Sequence, residues 1–71
     1  MKLFTFLRGR IISAGYENRE LAKDVGCSEN HLSRCLNGHA DFDLPLQHRI
    51  IEKTRGKTEE MHLYFPKNGI A

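Results

Sequence analysis

No stretch of this 71-residue chain approaches the roughly 18 uninterrupted apolar residues that a membrane-spanning helix needs. The apolar opening is broken by Lys2, Arg8 and Arg10, so it does not read as a secretory leader, and the expected location is the cytoplasm, away from any membrane. Cysteine is scarce. Cys27 and Cys35, if carried in one helical unit, stand about 12 Å apart by helical rise, too far for a disulfide, and read as small buried apolar residues. Catalytic signatures are missing too: there is no Gly-rich phosphate loop, no GxSxG, no HExxH and no acidic metal cluster. An enzyme is not expected, nor a cofactor or small-molecule ligand, because so small a helical domain offers little concavity from which water can be excluded. Charge of one sign is also weak: 11 Lys and Arg against 9 Asp and Glu give +2, compatible with a nucleic-acid partner without demanding one.

What is present is the balance of one ordinary globular domain, 39% hydrophobic and 28% charged, expected to span 1–66 with a short tail at 67–71. Below about 70 to 80 residues a single core contributes only a few kcal/mol of net stability, which makes self-association an expectation.

The chain is organised around Asn18 to Gly38, NRELAKDVGCSENHLSRCLNG. Leu21, Ala22 and Val25 make one apolar helical face, with Arg19, Glu20, Lys23 and Asp24 turned away. Gly26 suits the left-handed conformation that ends a helix, and Ser28 is an N-cap for a second helix starting near Glu29. That second helix carries Leu32, Cys35 and Leu36 on one stripe and closes at Asn37-Gly38. Two short helices with so tight a turn have the grammar of a helix-turn-helix.

On either side the pattern remains helical. Lys2 to Ala14 carries Leu7, Ile11 and Ile12 as a stripe, with Gly9 inside it hinting at close packing and Gly15 stopping it, while the alternation of Phe4 and Phe6 also fits an extended lead-in over Lys2 to Phe6. Beyond an irregular HADFD segment, Asp43 can cap a fourth-position helix with Pro45 in its first turn, Leu46, Ile50 and Ile51 inward, and Gly56 closing it. Thr58, Glu59 and Glu60 resemble a further N-terminus leading into Met61, Leu63, Tyr64 and Phe65 before Pro66. The fold class is therefore all-α, with five helices.

A metal site has to be weighed, because Cys27, His31, Cys35 and His39 recur every four residues and all are zinc-ligand types. Successive steps of four drift by about 40° around a helix, so four in a row cannot converge tetrahedrally, and no metal is expected.

From Leu7 to Phe65 the chain resembles the phage repressor and Cro group, the Xre-type helix-turn-helix domains with a lambda-repressor-like fold. The resemblance rests on LRxxI (Leu7, Arg8, Ile11), ELAxxxGxS (Glu20, Leu21, Ala22, Gly26, Ser28), LSRxLNG (Leu32, Ser33, Arg34, Leu36, Asn37, Gly38) and the closing EExxxYF (Glu59, Glu60, Tyr64, Phe65). It implies a transcriptional regulator of phage or mobile-element type that binds a duplex DNA operator, with the helix from Ser28 to Asn37 in the major groove. The base-reading positions then match Ser28, Glu29, Asn30 and Ser33, with Arg34 beside them, and Asn18 and Asn37 match phosphate contacts. Arg8, Arg10, Arg19 and Lys23 are expected to neutralise further phosphates. Two features oppose this: Asn18 is shorter than the family's usual glutamine, and Asp41 and Asp43 stand in a loop that often carries basic residues. A protein-interaction module, antirepressor-like or antitoxin-like, is the competing expectation. Homodimerisation is expected through Met61, Leu63, Tyr64, Phe65 and Ile70, too apolar a set to be left exposed together, with packing into the chain's own core as the alternative.

Overall fold

A computed structural model describes residues 3–66. They form five α-helices: α1 Thr5–Ser13, α2 Asn18–Val25, α3 Glu29–Leu36, α4 Leu44–Lys53 and α5 Met61–Tyr64, the last fed by a 3-10 turn at Thr58–Glu60. No strand occurs among the described residues, and none of their helices is long and apolar enough to cross a membrane. The expected all-α, five-helix architecture with a central helix-turn-helix is therefore what the chain adopts.

Each helix contributes its apolar stripe to one core: Leu7 and Ile11 from α1, Leu21, Ala22 and Val25 from α2, Leu32, Cys35 and Leu36 from α3, Leu46, Ile50 and Ile51 from α4. Tyr64 of α5 completes it, and Phe4 and Phe42 close one edge with ring centroids 5.1 Å apart in an edge-to-face pair. α2 is the hub, packed on both α3 and α4, while α5 is held by α1 and α4. Ala22 is buried in the α2 stripe, where a small side chain lets neighbouring helices approach closely.

Local chemistry sets the helix boundaries. Ser28 Oγ accepts from the His31 amide at 3.0 Å, capping α3, and Asp43 Oδ1 accepts from the Leu46 amide at 2.9 Å, capping α4 with Pro45 in its first turn. The C-terminal ends of α1 to α4 share one device, in which two amides beyond the helix fold back onto its last free carbonyls. In α2, for example, Cys27 N–H reaches Ala22 O at 2.9 Å and Gly26 N–H reaches Lys23 O at 3.3 Å. The pivot residue must adopt a left-handed backbone, and it is glycine at 15, 26 and 38.

At α4 the pivot is Arg55, with φ 58°, where an L side chain costs about 1–2 kcal/mol. Sequence reading placed the stop at Gly56; the glycine serves a different end. A Cβ there would collide with the buried Tyr64 ring, so Gly56 gives the room that Tyr64 occupies. Two further expectations are corrected. A Cβ at Gly9 would meet nothing within 4 Å, so this glycine marks no close packing. Thr58 does not cap the last helical segment: it lies within the 3-10 turn, and the Glu60 carboxylate instead accepts the Lys57 amide at 3.1 Å.

Candidate nucleic-acid interface

With Leu32, Cys35 and Leu36 turned into the core, α3 and its flanks leave Ser28, Glu29, Asn30, Arg34 and Asn37 exposed and Ser33 half-buried. All five expected base-reading side chains, Ser28, Glu29, Asn30, Ser33 and Arg34, therefore come from one short segment. Their chemistry is varied: an amide and a guanidinium suited to bidentate pairing, a carboxylate that only accepts, and two hydroxyls.

Both ends of this helix are tied down. Ser28 caps the start. At the finish, Arg8 reaches across from α1, its Nε donating to Leu3 O at 2.8 Å and its Nη2 to Leu36 O at 2.8 Å and to Asn37 Oδ1 at 3.4 Å. Asn37 passes the constraint back along the helix by donating from Nδ2 to Ser33 Oγ at 3.5 Å. Arg8, expected as a phosphate ligand, is thus chiefly a clamp that satisfies a terminal carbonyl of α3 and orients Asn37. Sequence reading missed this role, since the partners lie 28 and 29 residues away.

Arg10 points elsewhere. Its Nη2 binds Glu60 Oε2 at 2.8 Å and its guanidinium lies 5.4 Å from the Phe6 ring centroid, joining α1 to the 3-10 turn. The hydrogen bond from Arg10 holds the Glu60 carboxyl below the usual carboxylate range. Asn18 and Arg19, the first two residues of α2, are exposed at its N-terminal end, which Glu17 and Glu20 close with a reciprocal capping box. Lys23 is exposed on the same helix. Arg49 was also missed as a positioning residue: it donates to Val25 O at 3.1 Å and so secures the end of α2 just before the turn.

The acidic loop is less hostile than its composition. Asp43 is committed to the α4 cap, and Asp41, also exposed, is the loop carboxylate without a side-chain partner among the described residues. Of the four alternating Cys and His residues, only His31 and Cys35 meet, Nε2 to Sγ at 3.6 Å, and no group of three or more His, Cys, Asp or Glu side chains converges among the described residues. Burial raises both thiols, Cys27 and Cys35, above their ordinary pKa, so they remain neutral packing groups.

The apolar set expected to meet a second copy is divided. Tyr64 is fully buried in its own chain, which corrects its assignment to an interface, because its ring packs edge-on against Phe6 at 5.4 Å. Met61 and Phe65 are partly buried against the core, Leu63 is 40% exposed, and Ile70 lies outside the described residues.

No protein-family model matches the chain, and a search of curated proteins returns no match. Solved structures do match. The modulator of repression (MOR) of the temperate bacteriophage TP901-1 from Lactococcus lactis superposes with a TM-score of 0.78 at 18% identity, covering 99% of this chain and 93% of that one. The hypothetical transcription factor NHTF from Neisseria gives 0.73 at 16% identity, over 87% and 68% of the two chains. The clp gene regulator ClgR from C. glutamicum gives 0.69 at 22% identity, over 78% and 70%. At these identities the likeness is one of fold.

Proposed function

We propose that this chain binds duplex DNA in a sequence-specific manner as a Cro-like or repressor-like transcriptional regulator, with Ser28 to Asn37 in the major groove. The observation that carries the reading is the outer face of α3, polar throughout and clamped at both ends by Ser28 and Arg8. Asn30 has the amide for adenine, Arg34 the fork for guanine, and Glu29 accepts from cytosine while repelling phosphate, sharpening choice more than affinity. Asn18, Arg19 and Asn37 would hold the backbone on either side. Similarity to a gene regulator and a transcription factor supports the same role. In this reading the protein acts as a homodimer through Leu63 and the chain beyond, on half-sites related by two-fold symmetry about 34 Å apart.

Selection of bound sites from a random duplex pool tests it. Asn30→Ala and Arg34→Ala should each relax the preference at one base pair, costing about 1–3 kcal/mol of discrimination. An unchanged preference in both variants removes these side chains from the readout. Sedimentation with and without the selected duplex tests the dimer.

A second reading is favoured by one observation: Arg8 and Arg10, two of the cations expected on phosphates, are bonded within the chain. On that reading the fold is a protein-interaction module, and the similarity to a phage modulator of repression is in keeping with it. Salt separates the two. Phosphate contacts make log affinity fall with log salt, so an absence of duplex binding even at about 50 mM salt selects the interaction module.

A further inference from the structure

The C-terminal ends of α1 and α4 enclose an open cavity of about 430 Å³, and no residue of α3 lines it. Its wall holds three cations, Arg10, Lys53 and Arg55, beside the hydroxyls of Ser13, Tyr16 and Thr54, and it contains no acid. Helix dipoles account for two of the cations, because Arg10 and Lys53 each lie in a last helical turn, where positive charge is favoured. Arg55 has no such account. It occupies the left-handed pivot that glycine fills after α1, α2 and α3, and strain of this kind is retained at functional sites.

Three carboxylates stand near this wall and each has a partner: Glu60 with Arg10 at 2.8 Å, Asp24 with the Tyr16 hydroxyl at 2.7 Å, and Glu20, whose charge also acts on Tyr16, with the Glu17 amide at 3.4 Å. Among the described residues neither the Lys53 nor the Arg55 side chain has a hydrogen-bond or ion-pair partner. Among the described residues Arg10 donates only from Nη2, to Glu60, and Glu60 with the Phe6 ring sets the orientation of its other donors. Two unpaired cations beside a preset guanidinium match the charge of a phosphate monoester better than that of a single carboxylate. The concave shape and the volume suit a small molecule, whereas a duplex backbone is convex.

We propose that this cavity is a binding site for a phosphate-bearing small molecule, with Lys53 and Arg55 as its principal ligands and Arg10 as an oriented third. It is independent of the DNA reading, because it uses no residue of the α3 face, and it gives Arg10 a role other than contact with a DNA phosphate.

The test is an amide-resolved NMR titration of the full chain with inorganic phosphate, adenosine monophosphate and adenosine. Saturable shifts at Ser13, Thr54 and Arg55 are expected, with a Kd of about 1 mM or tighter for the monophosphate and none with adenosine. Arg55→Gly is the informative variant, since glycine suits the backbone there and the fold should survive; it should weaken the monophosphate about tenfold, with unchanged α3 shifts. Three results overturn the proposal: shifts that stay linear to about 20 mM, undiminished binding by folded Arg55→Gly, or saturation of the same amides at lower concentration by a polyglutamate peptide or a non-specific duplex. The last would assign the cavity to a partner protein or to DNA. Loss of operator binding by Asn30→Ala or Arg34→Ala leaves all these readouts untouched, so the two proposals fail separately.

Discussion

The α2–α3 unit and the junction between α4 and α5 are built on opposite principles. The contacts that shape the turn between α2 and α3 are mostly local: Ser28 Oγ with the His31 amide, Cys27 N–H with Ala22 O, Gly26 with its left-handed backbone, and Arg49 on Val25 O as the distant addition. The junction depends on distant partners. Tyr64 is fully buried, with its ring against Phe6 and its hydroxyl 3.0 Å from Thr54 Oγ1. Because Thr54 has one hydroxyl proton and donates it to Ile50 O at 2.8 Å, Tyr64 is the donor of the pair. The first region takes its turn and caps from its own residues, with only the ends of its two helices tied down from outside by Arg8 and Arg49, so its outer face can carry chemistry that the fold does not need. The second exists only when α1, α4 and α5 meet, so Tyr64, Thr54 and Gly56 are tied to stability.

The sharpest way to break this contrast is Tyr64→Ala, expected to cost about 3–5 kcal/mol, since a large ring leaves a cavity that its neighbours fill only in part. Tyr64→Phe keeps the packing and loses one hydrogen bond, and should cost about 1 kcal/mol. Denaturant unfolding measures both; similar costs for the two would place the stabilisation in the hydroxyl and not in the ring. Gly56→Ala comes next, at about 1–3 kcal/mol, because the added methyl must displace the Tyr64 ring. A neutral Gly56→Ala would mean that Tyr64 does not lie over that backbone.

The same contrast explains what could be read in advance. The caps at Ser28 and Asp43, the pivots at Gly26 and Gly38 and the inward stripe Leu32, Cys35, Leu36 all depend on neighbours within a few residues, and each was legible. Arg8 and Arg10 were not. Two residues apart on one helix, both read as cations for phosphate, yet one clamps α3 and the other pairs with Glu60, 50 residues on. Nothing local distinguishes an arginine that will find a carbonyl from one left to solvent. Gly56 misled for a related reason: Tyr64, eight residues after it, fills the space beside the glycine, while the left-handed pivot falls one residue earlier, on Arg55. The outer face of α3 was legible in composition, and its rigidity came from contacts that were not.

Ser28→Ala sharpens the comparison from the local side. It removes the side-chain acceptor of the His31 amide and should cost about 1 kcal/mol. Its effect should stay local: hydrogen exchange should quicken across the first turn of α3 while the amides around Thr54 and Gly56 keep their protection. Equal loosening at the junction would make the two regions one cooperative unit and undo the distinction.

The smallest effect belongs to Glu60, and its sign follows from the Arg10 contact. The hydrogen bond from Arg10, then that from the Lys57 amide, lowers the Glu60 carboxyl below its ordinary value, so folding favours the ionised form. That contribution is fully present above the pKa of the unfolded chain and is lost as pH falls through the lower, folded one. Both side chains are partly open to water, which keeps the effect small and sensitive to salt. Glu60→Gln keeps the acceptor oxygen and has no proton to gain, so the stability difference between wild type and variant should shrink between about pH 7 and pH 3. A difference that holds constant across that range would mean that the ion pair adds nothing to stability, and that Arg10 is positioned by its packing on Phe6 alone.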